Sequence, residues 1–466
     1  MKIKNTSFRE IDFRLKDPMI LLVIGFFSVL NPKAFAQQNS GTLNGQGFRA
    51  SVVKINISPG TPKQLLGYGA RLSTGIHDSI HHRIIALDDG TTQFFLVSSE
   101  VCLIAPSEYD HVAELLQKKL GINPVNFWWS TTHTHSAPEV GVPGLAEAFM
   151  GDRYKHPVDT AYTNFIEQTL INGIVEARAK LAPARLGVGW GFSQANINRR
   201  AIDENGKASI GLNPDAPVDR RIGIIRLEKQ DGSPLAIIAN YPIHGTVLGD
   251  DFMQISGDVL GVVSTYAEQK TGVPVLFING AAGNLAPIYS VYPNPEDGHL
   301  DQFRVLLGDR ILEANKKIRS TSDSVKLFTG ALTVESPRKA NLGWPSYLGK
   351  YSTTKNGINL VKLPVRFLKI NDDVAIWSAP IELFCEISNE VRDRSPFPFT
   401  FYYGYTNGWL GYLPSEAEWK YGGYEVETVS PFTKSMSVDL SEAVTGYLQG
   451  EMRSTGDQPV KAGKKR

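Results

Sequence analysis

Cysteine is nearly absent from this 466-residue chain: Cys102 and Cys385 are the only two. Two thiols allow one disulfide at most, which excludes a disulfide scaffold. Their apolar neighbours (Val101 and Leu103 around the first, Phe384 before the second) point to buried thiols instead. Stability must then come from a core. A basic excess is also missing. Lysine and arginine total 48 against 47 aspartates and glutamates, a formal net charge of +1. With no surplus cations to neutralise phosphates, nucleic acid is not an expected partner. The apolar stretch Met19 to Leu30 is too short to span a bilayer. No internal repeat, no wide Gly/Pro/Ser linker in the middle of the chain and no His-Glu-x-x-His helix occur, so the helical metalloprotease motif drops out.

What is there is ordinary globular composition, 42% hydrophobic and 20% charged, enough for one large catalytic-size domain. Lys2, Lys4, Arg9, Arg14 and Lys16 precede the short apolar stretch, and Ala34-Phe35-Ala36 supplies the small residues a signal peptidase reads. Residues 1–36 are therefore expected to be a signal peptide of an exported protein, periplasmic or secreted, with an uncleaved anchor as the alternative. Residues 37–47 form a polar flexible leader, 48–453 the folded domain, and 454–466 a polar tail with a basic end.

Amphipathic spacing predicts helices over Ser107–Leu120, Tyr162–Leu181, Asp258–Lys270, Asp301–Arg319, Glu382–Arg394 and Val438–Met452. Short β-type runs lie between them at Thr92–Ser98, Asn126–Thr131, Leu235–Asn240, Val275–Ile278, Leu327–Val334 and Val374–Ser378. Strands and helices alternate, but hairpin-like pairs such as Leu360–Lys369 with Val374–Ser378 interrupt the alternation. The expected class is α/β: a layered fold with mixed β-sheets flanked by helices, its site at strand ends.

The chemistry gathers where apolar runs give out. Thr132-His133-Thr134-His135-Ser136 follows Phe127-Trp128-Trp129. Strand alternation would point His133 and His135 to one face, where both could hold a metal, or one could bind metal while the other moves protons. Two polar residues on a solvated strand face is the plainer reading. His244, after Ile237 to Pro242, falls at a strand-to-loop junction, as a ligand or a capped loop histidine. Glu382 follows Val374 to Ser378 at an expected helix start, where a carboxylate can bind metal or simply favour the helix dipole. The aromatic stretch Tyr402 to Tyr424 reads as core or as a ligand-facing loop. Two histidines and a glutamate form a set used by catalytic zinc sites, which keep a position open. Spacing alone does not make them converge.

The order and context of these segments resemble the neutral (alkaline, non-lysosomal) ceramidase family, over roughly Phe48 to Tyr447. Val53-Lys54-Ile55-Asn56-Ile57-Ser58-Pro59 and Gly67-Tyr68 with Thr74 to Asp78 look like that family's opening. Thr132-His133-Thr134-His135-Ser136-Ala137-Pro138 is close to its Thr-His-Thr-His-Ser-Gly-Pro signature. Asn196 to Arg199, Ile255 to Asp258, Ala379 to Glu382, and Gly411-Tyr412-Leu413 through Glu416, Glu418, Tyr424 and Glu425 follow in order. The resemblance is to the catalytic domain only. It implies a zinc ion held by His133, His244, Glu382 and Tyr412, with His135, Arg199 and Tyr424 lining the site to polarise the scissile carbonyl or shuttle protons. It also implies hydrolysis of an N-acyl amide in a ceramide-like lipid by zinc-bound hydroxide. The partner would be that lipid; a peripheral membrane contact stays open, and no protein partner is inferable.

Two departures stand out. The family's Gly-Asp-Val-Ser-Pro run is matched by Gly283-Asn284-Leu285-Ala286-Pro287. Ala286 has no hydroxyl, which excludes a covalent acyl-enzyme there but leaves a zinc-activated water intact. Ala137-Pro138-Glu139-Val140 replaces Gly-Pro-Gly-Gly, removing backbone freedom beside the metal. These departures motivate two alternatives: the same metal site acting on another acyl ester, amide or carbohydrate-linked substrate, and a non-catalytic binding protein on the same scaffold.

Overall fold

In the computed structural model, the residues described are 47–141, 156–157, 159–291, 297–340 and 342–456. The expected signal peptide, nearly all of the leader and residues 457–466 of the tail lie outside them. The final helix runs through Gly456, three residues past the expected end of the domain.

Thirteen strands carry the architecture. Eight form one sheet: β1 (Arg49–Asn56), β2 (His81–Asp88), β3 (Gln93–Ser99), β4 (Phe127–Thr131), β5 (Ala182–Phe192), β6 (Arg221–Lys229), β7 (Pro234–Tyr241) and β8 (Val275–Asn279), in the order β8-β7-β6-β5-β1-β2-β3-β4. Five form a second: β9 (Leu327–Pro337), β10 (Ser352–Lys355), β11 (Ile358–Ile370), β12 (Val374–Ser378) and β13 (Phe399–Tyr403), with β9-β11-β12-β13 in line and β10 also paired to β11. Six helices are used below: α1 (Pro106–Leu120), α2 (Thr160–Ala179), α3 (Asp258–Thr271), α4 (Asp309–Lys317), α5 (Cys385–Arg394) and α6 (Met436–Gly456).

Strand alternation sorts the core into layers. On β2 and β3, Ile84, Phe95 and Val97 face α1 and α2, where they meet Val112, Leu116, Ile166 and Leu170. Their alternates Ile85, Leu87, Phe94 and Leu96 face the second sheet and meet Leu368, Ile376 and Phe401. Ile222 and Ile224 of β6 pack outward on Val259 and Val263 of α3 and Ile311 of α4. The far face of the second sheet, through Phe367 and Trp377, receives Ile387 of α5 and Leu440 and Val444 of α6. The result is four layers: helices, sheet, sheet, helices. Strands buried on both faces explain the near-continuous apolar runs, such as Val275–Asn279, in which every residue is buried.

The helices start and stop by local chemistry. Pro106 opens α1, where its missing N–H costs nothing, and Gly121 closes it in the left-handed region at φ 69°. Asp159 caps α2 by accepting the Tyr162 amide at 2.9 Å. The expected helix over Asp301–Arg319 is broken by a π-helical turn at Arg304–Gly308 before α4 begins.

One unit recurs three times, although no repeat is visible in the sequence. An antiparallel pair is followed by a loop, a helix and a third strand parallel to the second: β2-β3-α1-β4, β6-β7-α3-β8 and β11-β12-α5-β13. In each unit the parallel pair presents its carboxyl ends together, and open α/β sheets place their sites at such ends.

Candidate metal centre

Three of those strand ends meet. After β4 the chain leaves the strand at Thr132, and His133 sits in the left-handed region at φ 70°. The two histidines therefore do not converge by strand alternation, as the sequence suggests; a turn brings them together. Thr134 bridges to Gly245, and the His135 amide donates to the Gly245 carbonyl at 2.9 Å. A Cβ on Gly245 would lie 2.5 Å from the His133 carbonyl oxygen, so only glycine permits this approach.

His244 follows β7 by three residues. Asn279, at the end of neighbouring β8, holds both histidine loops: its amide group donates to Thr132 O at 3.1 Å and Ile243 O at 2.7 Å, while its oxygen accepts the Ile243 amide at 3.1 Å. Glu382 follows β12, and here the expectation of a helix start is corrected. Glu382–Leu383 is a short strand parallel to Tyr412–Leu413, with Glu382 opposite Tyr412, and α5 begins only at Cys385. Hydrogen bonding of Glu382 N to Gly411 O at 3.0 Å extends the chain here instead of coiling it.

His133 Nε2 lies 3.2 Å from His244 Nε2, 3.2 Å from Glu382 Oε2 and 3.2 Å from His135 Nε2. His244 Nε2 is 3.3 Å from Glu382 Oε2 and 3.3 Å from the Tyr412 hydroxyl. The opposite ring nitrogens are committed elsewhere. His133 Nδ1 faces Cys102 O at 3.1 Å; His244 Nδ1 faces Ala282 O at 2.8 Å and Leu285 O at 3.1 Å. Carbonyls accept only, so Nδ1 carries the proton in both rings and Nε2 is left as a lone pair.

The surroundings hold these groups rigidly. Trp409 donates its indole N–H to Glu382 Oε1 at 2.9 Å, and Tyr405 donates its hydroxyl to Oε2 at 3.2 Å while stacking on His133 with ring centres 4.2 Å apart. Arg199 donates to the Tyr412 hydroxyl at 3.1 Å and is anchored by Glu425 at 3.1 Å. Glu425 also takes Arg200 at 2.7 Å. The half-buried Tyr424 packs edge-on against Tyr412, and Tyr68 packs edge-on against His135 with centres 4.8 Å apart. The sequence reading missed Asn279, Tyr405 and Trp409. The last two lie in the aromatic stretch it singled out, and their conjunction with Glu382 was the signal available.

Burial pushes the His244 imidazole down to about 3, and burial with the neighbouring His133 and His244 pushes His135 well below its ordinary value. Burial alone would raise the Glu382 carboxyl, but His133 and His244 outweigh it and hold it well below the carboxylate range. Burial, then Glu382, keeps the Tyr412 phenol neutral by raising it. Thus two histidine lone pairs and a carboxylate oxygen converge, with His135 Nε2 beside His133 and one hydroxyl proton beside His244. A single proton on His133 Nε2 could serve one of its three neighbours, not all. A cation would serve them together. His133, His244 and Glu382 each offer a ligand atom, all within 4.8 Å of one another, so the donor set fits a metal. A second grouping, Cys102 with His133 and His135, is geometrically close but uses atoms already committed: Cys102 Sγ sits 3.7 Å from the protonated Nδ1 side of His133. Both cysteines are free and buried, as expected.

Ala286 lies in the buried strand Leu285–Pro287, which pairs with Asn196–Asn198. Its neighbour Leu285 supports His244, so the segment keeps its structural role without a hydroxyl. Glu139 forms an ion pair with His156, close to the Lys63–Asp159 pair at 2.6 Å.

Residues 59–278 match the family described as neutral/alkaline non-lysosomal ceramidase, N-terminal. Neutral ceramidase B of Dictyostelium discoideum is 29% identical over 249 residues, 50% of this chain and 32% of that protein. Neutral ceramidase A of the same organism is 30% identical over 270 residues, 55% of this chain and 36% of that protein. The match thus spans about a third of the length of these curated relatives. The crystal structure of neutral ceramidase from Pseudomonas aeruginosa has a similar fold, with TM-score 0.68 at 18% identity over 88% of this chain and 75% of that one. A structure titled as ceramidase complexed with C2 has TM-score 0.69 at 17% identity over 90% and 77%.

Proposed function

We propose that this chain, which belongs to the neutral/alkaline ceramidase family, is an exported zinc-dependent amidohydrolase that cleaves the N-acyl amide of ceramide-like lipids. The observation that carries the reading is the convergence of His133 Nε2, His244 Nε2 and Glu382 Oε2 with no donor adequate for all three. Tyr412, beside His244, would be the fourth ligand. Zinc at such a site acidifies water and polarises a carbonyl, which an amide hydrolase needs near neutral pH.

The chain's own groups supply the rest. His135 is 9% exposed and its Nδ1 is buried without a hydrogen-bond partner among the described residues, while Nε2 faces the centre. Kept neutral by burial, it can take a proton at Nε2 and return it to the leaving amine. The Arg199 guanidinium, held charged by Tyr412 and Glu425, donates to the Tyr412 hydroxyl at the centre, from where it would stabilise charge developing on a bound carbonyl. Tyr424, edge-on against Tyr412 with ring centres 5.8 Å apart, would donate its hydroxyl to the same oxygen. Ala286 removes any covalent route at its position, so water is the nucleophile.

A second reading keeps the site and changes the bond. Ala286 and Glu139 motivate this reading, in which the substrate is an ester or a carbohydrate-linked acyl group. A substrate panel run with and without chelator tests both. Chelator-sensitive turnover of a fluorescent short-chain ceramide above that of simple aryl esters is the expected result. Full amidase activity in folded, zinc-depleted protein would sink the mechanism, and turnover of aryl esters alone would select the second reading.

A further inference from the structure

Behind the metal centre lies a cavity of about 170 Å³ between α1 and the second sheet. Lys362, Pro364 and Arg366 occupy alternate positions on β11, so all three present the same face, opposite Thr333 of β9 at Pro364. Lys350 reaches the rim from the helical turn Ser346–Tyr351. Only Asp110 carries negative charge on the lining, and it is taken by Lys350 at 2.9 Å and the Tyr351 hydroxyl at 2.9 Å. Lys362 is half-buried, and neither it nor Arg366 has an ion pair among the described residues. The deep wall is formed by Ser378 and Asn407. Ser378 is 1% exposed and Asn407 6% exposed, and the Ser378 hydroxyl and the Asn407 amide nitrogen have no hydrogen-bond partner among the described residues.

Glu335 of β9 stands opposite Lys362 but is engaged by Lys355, so two cations with no carboxylate in ion-pair contact, beside two buried donors without acceptors among the described residues, describe a site short of negative oxygen. We propose that this cavity binds a tetrahedral oxyanion of the phosphate class, free or as the headgroup of an anionic lipid. The site is separate from the metal centre but not remote from it. Its back wall, Ser378 to Pro380 and Thr406 to Asn407, is the chain that delivers Glu382 on one side and Tyr405 and Trp409 on the other. An occupant neutralises Lys362 and Arg366 where β11, β12 and the Thr406 loop meet, and so stiffens the carriers of the Glu382 carboxylate.

Calorimetric titration of the full chain with inorganic phosphate at constant ionic strength tests this without reference to catalysis. Saturable binding of one phosphate per chain is expected, weakened at least tenfold by Lys362→Met and unchanged by Lys229→Met at the exposed end of β6. Lys362 makes no ion pair among the described residues, and Glu335 opposite it keeps its pair with Lys355, so the variant should keep a Tm close to the parent's; Arg366→Gln, which gives up a contact with Tyr109, is the second and less neutral probe. A parallel arm uses vesicles with and without phosphatidic acid. Lys362-dependent binding in either arm supports the site and identifies its source. Binding that Lys362→Met leaves intact in both arms, or no binding above the chloride control in either, overturns it.

Discussion

At the scale of single residues, the centre divides labour between two histidines two positions apart. His133 has its Nδ1 proton given to Cys102 O and its Nε2 turned to Glu382, whereas His135 has an uncommitted buried Nδ1 and touches the cluster from one side. Losing a group inside the donor set should differ from losing one beside it. His133→Ala should leave purified protein with substoichiometric zinc by mass spectrometry and no amidase activity. His135→Ala should retain one zinc per chain and lose kcat on the order of 10²–10⁴-fold, the range typical of a removed proton-transfer group. Equal zinc loss in both variants would assign His135 to the donor set instead.

At the scale of elements, strands and helices were largely legible because their signals are local. Val374–Ser378 coincides with its expectation, and α1 differs from its own by one residue. The candidate ligands were legible as residues sitting just past apolar runs. What was not legible is how they meet. The left-handed turn at His133, the short parallel pairing of Glu382 with Tyr412, and the Asn279 side chain that ties two loops are all contacts between distant segments. Alternation, a property of one strand, could not supply them. Gly245 is where this matters most. A methyl group there meets His133 O at 2.5 Å and Thr134 Cα at 2.6 Å, both backbone atoms that cannot rotate away. Gly245→Ala should cost about 1–3 kcal/mol by overpacking and lower zinc occupancy, read by denaturant unfolding and metal analysis. Gly343→Ala, with no atom near its would-be Cβ, should change neither. A Gly245→Ala protein with parental stability and full zinc would mean that the two loops are not held by this approach.

At the scale of the whole molecule, the four layers bury ionisable groups whose effects on stability run in opposite directions with pH. Burial would raise the Glu100 carboxyl, but the Arg83 guanidinium outweighs it and holds it at about 2, in a pair buried to 1% exposure on both sides. A carboxyl held below its ordinary 4.5 contributes stability that is present above that value and lost as pH falls towards about 2. His82, pushed down to about 4 by burial, adds to the same acid limb, because the fold resists its protonation. Glu108 does the reverse. It lies on α1, is 5% exposed, and is raised to about 8, first by burial and then by Glu167 on α2, which shares its proton. Its contribution is fully present below 4.5, declines as pH rises to about 8 and is constant beyond, since the folded state binds a proton that the unfolded state releases. Glu108→Gln keeps a neutral donor at that position with no proton to lose. Its Tm should equal the parent's near pH 4.5, exceed it by a margin that widens through neutrality, and hold a constant margin above pH 8. Thermal melts across that range decide the matter: a margin independent of pH would mean that the α1–α2 contact is held by shape alone and not by the shared proton.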